Sequence, residues 1–126
     1  MKDIENKEDI KLMVNSFYDK VNQNKKLAFV FNDFAKIDWD SHLPKMYDFW
    51  NSLIFGSGEY KGSPFPGHVP LPVSKLHFDK WIEIFNENMD NLFNGEIADA
   101  TKHRAKIIAL TFQHKLDYLK TNNDEK

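Results

Sequence analysis

The sequence predicts an all-α fold in one domain. Apolar residues recur three and four positions apart along almost the whole chain, which is the spacing of one helix face. No stretch shows the sustained apolar–polar alternation that a half-buried strand requires. The 126 residues match the usual size of one domain. We therefore expect residues 1–126 to form one unit, with a core over about residues 10–119 and a frayed polar tail at 121–126.

Five apolar stripes predict the order of the helices. The first covers residues 10–21, and a short second one covers 27–34. The third covers 39–54, and the fourth covers 78–93. The fifth covers 97–119 and begins after Asn94-Gly95, a pair typical of a break between helices. Aromatic residues make up 14% of the chain, so the core should be bulky or should enclose something flat and bulky.

The segment of residues 56–72 differs from the rest of the chain. It contains four of the five Gly and four of the five Pro, which excludes a continuous helix. Loops of this length in a compact domain are usually functional or disordered. This one also contains Phe65, Val69 and Leu71, so it is too apolar for a solvated linker, and we expect it to pack over something.

Composition excludes several classes of function. The net charge is −2 and no basic stripe follows a predicted helix, so no nucleic-acid partner is expected. The chain has no Cys, which excludes disulfides, thiolate metal sites and cysteine nucleophiles. The first nine residues are too charged for a signal peptide. No apolar run approaches the roughly 20 residues of a membrane span. We therefore expect a cytoplasmic protein that does not bind membranes.

The five histidines have different expected roles. His103 and His114 lie among Lys and Arg on the last helix, and we expect them to be solvated. His42 shares a helical face with apolar residues, where a histidine is more often a satisfied or partly exposed residue than a ligand. His68 lies in the Gly/Pro-rich segment, where a histidine is more often a surface residue. His77 begins the fourth helix, where the simplest role is a hydrogen bond at the helix end.

The spacing of these histidines argues against a metal site built from several side chains. Zinc sites commonly pair ligands three to five positions apart, and no such pair includes His42 or His68. Haem makes a smaller demand, because its porphyrin supplies four ligands and the protein need supply only one imidazole. A single histidine directed at an aromatic pocket is therefore sufficient for a haem site.

An ordered set of residues gives the chain a family resemblance. The set is His42 with Phe49-Trp50, then Gly56-x-Gly58-x-Tyr60-x-Gly62-x-Pro64-x-x-x-His68, then Leu71-Pro72, then His77-Phe78-x-x-Trp81. In this order it resembles the truncated haemoglobins, and the Phe17-Tyr18 pair on the first helix points to their third group. The resemblance extends from about residue 10 to about residue 119.

The resemblance implies a two-over-two helical sandwich around haem b, in which the helix before the iron ligand shrinks to a loop. His68 matches the axial ligand of a penta-coordinate iron, and His42 matches the position facing the opposite side of the iron. Tyr18 and Trp81 match two aromatic residues of the ligand pocket. The residues expected to line the ring are Phe31, Phe34, Met46, Phe49, Leu53, Phe78, Ile82 and Phe85. Those expected to reach the propionates are Lys45, Tyr60 and His77.

The sequence departs from the family pattern in the position of its glycines. Glycine pairs near the first two helix junctions, which the better-known groups of the family carry, are absent here. Their absence fits the third group and argues against an open ligand tunnel through the core. We expect movement of His42 to admit ligands instead.

The resemblance implies binding of oxygen, nitric oxide and carbon monoxide. Tyr18 offers an O–H donor and Trp81 an N–H donor. Oxygen held by haem carries partial negative charge, so two donors would slow its release by about one to three orders of magnitude. Such a protein would be a poor oxygen carrier. Helical spacing alone favours both residues as ordinary core aromatics.

Three functions remain open from the sequence. The first is enzymatic: conversion of nitric oxide to nitrate, or peroxide chemistry, with Tyr18 and Trp81 as stabilisers and His42 as gate or proton donor. It requires a separate reductase, because the chain is too short for a reductase domain and has no Gly-x-Gly-x-x-Gly run. The second is non-catalytic binding or sensing of a diatomic gas. The third is a helical module whose Gly/Pro-rich segment contacts a protein partner.

Overall fold

Helices form most of the chain that the computed structural model describes, which is residues 1–56, 58 and 73–124, without the side chains of 119–124. No strand occurs in these residues, which confirms the predicted all-α class. The helices are α1 (Lys7–Gln23), α2 (Lys25–Ala28), α3 (Trp39–Phe55), α4 (Lys75–Leu92) and α5 (Glu96–Asp124), with a π-helix (Phe29–Phe34) between α2 and α3. The backbone of α5 thus continues into the predicted polar tail.

Two asparagines set the limits of α1. Asn6 accepts a hydrogen bond from the backbone N–H of Asp9 at 3.0 Å, which satisfies one of the unpaired donors of the first turn. Asn24 is extended and ends α1, and its side chain accepts a bond from the N–H of Leu27 at 3.1 Å. It therefore also caps α2. The face of α1 between these caps is buried and consists of Ile10, Met13, Val14, Phe17, Tyr18 and Val21.

The predicted second helix is only partly α-helical. Four residues of α2 lead directly into the π-helix, where the N–H of Ala35 donates to the carbonyl of Val30 at 2.9 Å. Lys36 follows in the left-handed region with φ +52°, and the N–H of Ile37 donates to the carbonyl of Phe31 at 2.9 Å. Single π-helical turns are rare and are frequent at functional sites. Here the turn connects α2 to the start of α3.

Asp3 joins the start of the chain to the start of α5. Its carboxylate accepts hydrogen bonds from the N–H groups of Ile97 at 2.9 Å and Ala98 at 2.8 Å, which are unpaired donors of the first turn. Gly95 has φ +155°, and a Cβ there would lie 2.4 Å from atoms of the Asp3 side chain. The predicted break at Asn94-Gly95 is therefore also the place where the first residues dock.

The helices pack in two pairs. α1 contacts α3, α4 contacts α5, and α1 contacts α4 across the interior, which is the two-over-two arrangement that the resemblance implies. Phe17 and Phe85 pack edge to face in the core with ring centroids 5.1 Å apart. The fully buried Asn88 on α4 donates to the carbonyl of Met13 on α1 at 3.1 Å. No helix of the described residues is long and apolar enough to span a membrane.

Candidate functional site

A cavity lies between α1, α3, α4 and α5, and the π-helix forms part of its wall. It encloses about 1060 Å³ of space, including solvent at its opening. Part of this space is open solvent, and the walls offer the mainly apolar surface that is usual for small-molecule and cofactor sites. Most of its lining is apolar and consists of Leu27, Val30, Phe31, Ala35, Ile37, Met46, Phe49, Trp50, Val73, Phe78, Ile108, Ala109, Phe112 and Leu116.

Tyr18, His42 and Trp81 add polar groups to this lining. They come from α1, α3 and α4, so only the tertiary fold brings them together. The ring of Tyr18 lies 5.9 Å from that of His42, centroid to centroid and nearly perpendicular. Phe17 contacts both other aromatics, with centroids 5.0 Å from Tyr18 and 5.2 Å from Trp81. Tyr18 therefore contacts His42 directly and is linked to Trp81 through Phe17.

The donors of these side chains are not used within the described part of the protein. The Tyr18 hydroxyl, the Trp81 Nε1 and the His42 ring nitrogens make no hydrogen bond there. Buried tyrosine and tryptophan donors usually have a partner, because an unpaired polar group in an apolar environment is costly. Because Tyr18 and Trp81 line the cavity, their donors are available there to water or to a small polar ligand.

Protonation states follow from the surroundings of the two titratable groups. Burial raises the pKa of Tyr18 well above its ordinary value, so the phenol remains an O–H donor at all physiological pH values. Burial, and then the nearby positive charge of Lys45, lower the pKa of His42. His42 is therefore a neutral imidazole at neutral pH.

The structure brings seven of the predicted site residues into the cavity lining. These are Tyr18, Phe31, His42, Met46, Phe49, Phe78 and Trp81. Tyr60 and His68 lie outside the described residues, so the axial role of His68 stays a prediction. Lys45 is exposed on α3, close enough in sequence to His42 to affect its charge.

His77 forms the hydrogen bond at the helix end that its position in the sequence indicated. The N–H of Ser74 donates to His77 Nδ1 at 3.0 Å, and the Ser74 hydroxyl lies 3.2 Å from the same atom. These contacts fix the first turn of α4. Contact of His77 with a propionate stays a prediction.

Four predicted ring-lining residues lie outside the cavity lining. Phe34 is 44% exposed, because the wider π-helical turn removes it from the face of Phe31. Phe85 is only 1% exposed and packs among other core aromatics, and Leu53 packs against the core. Ile82 borders a smaller groove between α4 and α5. Periodicity placed all four on apolar faces but did not separate cavity wall from core or groove.

Sequence reasoning missed the part of the wall formed by α5. Ile108, Ala109, Phe112 and Leu116 line the cavity at the spacing of one helix face. Ile108 and Phe112 belong to the apolar stripe from which the fifth helix was predicted. No signal in that stripe distinguishes a face that packs on another helix from one that borders a cavity.

The donor set fits haem better than a metal ion held by several side chains. Within the described ranges, no group of three or more His, Cys, Asp or Glu side chains could hold a metal ion. The cavity instead offers aromatic and aliphatic walls for a flat apolar ring, and a few hydrogen-bond donors for a small ligand. Haem brings four of its own iron ligands and needs this kind of surrounding.

Comparisons with known proteins agree with this geometry. The family model described as bacterial-like globin matches residues 2–115. A group 3 truncated haemoglobin of Campylobacter jejuni is 32% identical over 115 residues, which are 88% of this chain and 91% of that protein. The crystal structure of a group III truncated haemoglobin from Campylobacter jejuni aligns with a TM-score of 0.80 and 33% identity, covering 92% of this chain and 95% of that one.

Proposed function

Because this chain belongs to the bacterial-like globins, and among them to the group 3 truncated haemoglobins, we propose that it holds haem b in this cavity and captures diatomic gases there. Haem binding itself follows from the family. The identity of the haem as haem b, the ligands and the reaction are the proposal. The family sets aside the alternative of a helical module that lacks a cofactor.

The residues that would hold the haem are an axial ligand, aromatic walls of the cavity and side chains that bind the propionates. His68 is the proposed axial ligand, because the resemblance assigns it that position. Phe31, Phe49 and Phe78 supply aromatic walls of the cavity. Lys45, Tyr60 and His77 are the side chains proposed to bind the propionates, because the resemblance assigns them that role.

The single observation that carries the proposal is the pair of unused donors, Tyr18 O–H and Trp81 Nε1–H, at an otherwise apolar cavity. The haem supplies an open coordination position for a diatomic gas, and one electron when nitric oxide and oxygen combine. Tyr18 and Trp81 would donate hydrogen bonds to the gas and slow its escape. Each bond contributes roughly 1 kcal/mol, and more when the acceptor carries charge.

Slow escape favours reaction over transport. We propose that nitric oxide is consumed as O₂ + NO + e⁻ → NO₃⁻, a sum in which atoms and charge balance. Tyr18 and Trp81 would stabilise the negative charge that develops on oxygen, because both are hydrogen-bond donors that line the cavity. A separate reductase would replace the electron that this reaction takes from the haem. Peroxide reduction would use the same two donors to polarise the O–O bond.

His42 is the proposed gate of the cavity. Its imidazole is half-buried and neutral, and among the described residues it makes ring contacts with Tyr18 at 5.9 Å and Trp39 at 5.7 Å. No hydrogen bond to the described residues fixes its ring. A side chain held in this way can turn without breaking a polar contact, so that ligands enter past it.

Two measurements test the proposal. Absorption spectra of the purified protein in the ferric, ferrous and oxygenated states should show a Soret band and a long-lived oxygenated form. Stopped-flow mixing of the oxygenated protein with nitric oxide should then give ferric protein and stoichiometric nitrate. Absence of a Soret band after haem reconstitution would overturn the whole proposal. Slow or absent oxidation would leave the alternative, a non-catalytic globin that binds or senses oxygen, nitric oxide or carbon monoxide.

A further inference from the structure

Trp39 packs against two polar residues of the cavity lining, Tyr18 and His42. It is the first residue of α3, one turn before His42, and it is half-buried without lining the cavity itself. Its ring centroid is 5.2 Å from that of Tyr18, 5.7 Å from that of His42 and 6.0 Å from that of Phe31. These distances fall in the range of favourable aromatic pairs. Trp39 thus contacts both the proposed donor and the proposed gate.

A chain of hydrogen bonds fixes the orientation of the Trp39 ring. Its Nε1–H donates to Asn32 Oδ1 at 2.7 Å, and Asn32 Nδ2 donates to Asn22 Oδ1 at 2.9 Å. Asn32 belongs to the π-helix and Asn22 to α1, so the chain joins α3 to the two elements that carry Phe31 and Tyr18. The indole has a single N–H, so this solvent-exposed bond favours one orientation of the ring.

We infer that Trp39 is a positioning residue, which holds Tyr18 and His42 in the geometry that retains a diatomic ligand. The inference rests on the proposed function of the cavity. Trp39 acts through other side chains, because it does not line the cavity. Its rigid ring fills the space behind Tyr18 and His42, and the bond to Asn32 keeps the ring from turning. Without that bond, both side chains gain freedom to leave their positions.

Two single variants and their combination test the inference. Trp39→Phe removes the indole N–H and retains an aromatic ring, and Asn32→Ala removes the acceptor while leaving Trp39 intact. We expect each to raise the oxygen dissociation rate about fivefold, the equivalent of one hydrogen bond. Because both break the same bond, the double variant should show little more than either single one.

A spectroscopic readout separates positioning from a general loss of stability. In the carbonmonoxy protein, loss of a well-placed donor should move the C–O stretching band to higher wavenumber or split it into several bands. Asn32→Asp keeps an oxygen acceptor for the indole and loses only the donor to Asn22, so it should change the band less than Asn32→Ala does. A band unchanged in both Trp39→Phe and Asn32→Ala would overturn the inference.

Tyr47→Phe provides the matched control. Tyr47 also lies on α3, and its hydroxyl donates to Asn15 of α1, so its removal breaks another aromatic-to-asparagine bond between elements. Tyr47 does not line the cavity. We expect its variant to keep the wild-type band and dissociation rate. Equal changes in Tyr47→Phe and Trp39→Phe would overturn the inference, since any loosening of α3 would then suffice.

Failure of the inference and failure of the proposed function give different results. Tyr18→Phe tests the function, because it removes the proposed donor itself. If Tyr18→Phe changes the C–O band and the Trp39 and Asn32 variants do not, the function stands and the role of Trp39 is wrong. If Tyr18→Phe also leaves the band unchanged, the proposed role of the donor fails as well.

Discussion

Tyr18 and His42 contact one another in the lining of the cavity, with ring centroids 5.9 Å apart and ring planes at 76°. Tyr18 comes from the buried face of α1, and His42 from the first turns of α3. The contact pairs a side chain that is fixed by burial with one that is only half-buried. We expect this difference to let Tyr18 retain a ligand while His42 moves.

Removal of the Tyr18 hydroxyl should weaken ligand retention and leave the fold intact. In Tyr18→Phe we expect the oxygen dissociation rate to rise about fivefold to tenfold, because one donor is lost and the ring still packs. The hydroxyl makes no hydrogen bond to the described residues, so the melting temperature should not fall. Stopped-flow displacement of oxygen measures the rate. An unaltered rate would show that Tyr18 does not contact the ligand.

Loss of His68 should remove the proposed axial ligand. We expect His68→Ala to lose stable haem binding or to show an altered Soret band, because the resemblance assigns the iron bond to this residue. Added imidazole should restore the band by occupying the vacated position. His103→Ala is the matched control, since His103 is exposed on α5. Spectra of reconstituted protein are the measurement, and a wild-type spectrum in His68→Ala would refute the assignment.

The neutral state of His42 should make stability depend on pH. Burial, and then Lys45, lower its pKa in the folded protein below the ordinary value near 6.5. Between the folded and ordinary pKa values, the unfolded chain binds a proton that the folded one does not. The free energy of unfolding should therefore fall as pH falls below about 6.5, until the folded pKa is reached. In His42→Gln, denaturant titrations across this range should show a smaller loss.

Lys45→Met tests the charge contribution to the same group. Removal of the positive charge should raise the pKa of His42, because a like charge no longer opposes its protonation. The size of the shift separates the effect of charge from that of burial. An NMR titration of the His42 ring protons in the carbonmonoxy protein is the measurement. A pKa that stays the same would mean that burial alone lowers it.

Asp3 should contribute to stability as a cap of α5. We expect Asp3→Ala to lower the free energy of unfolding by about 1 kcal/mol, the typical value for loss of a capping side chain. Burial alone would raise the pKa of Asp3, but its bonds from the N–H groups of Ile97, Ile4 and Ala98 lower it overall. This stabilisation is therefore present above the ordinary pKa and is lost as pH falls through the folded value.

Urea titrations at neutral and acidic pH measure the contribution of Asp3. Asp3→Ala should be destabilised at neutral pH and should approach the wild type in acid. Glu5→Ala is a suitable control, because Glu5 is exposed close by and does not cap α5. A pH-independent difference between wild type and Asp3→Ala would contradict a role for the charged carboxylate.

The long helices could be predicted from the chain alone, and the family resemblance added the polar residues Tyr18, His42 and Trp81. A period between three and four is a local property, so the long helices and the break at Gly95 could be read directly from it. The family resemblance depended on the order of residues such as His42, His68 and Trp81, and this order can be read from the sequence without a structure.

What each apolar face contacts depends on how the helices pack and could not be predicted from the sequence. Phe85 and Phe78 lie on the same helix, yet one is in the core and the other lines the cavity. The bond from Trp39 to Asn32 and the cap that Asp3 provides for α5 depend on three-dimensional proximity. Periodicity indicates that a helix face is shielded from water. This holds both for a face that packs on another helix and for a face that lines a cavity. Contacts between different elements are fixed by how the helices pack, which no local pattern contains.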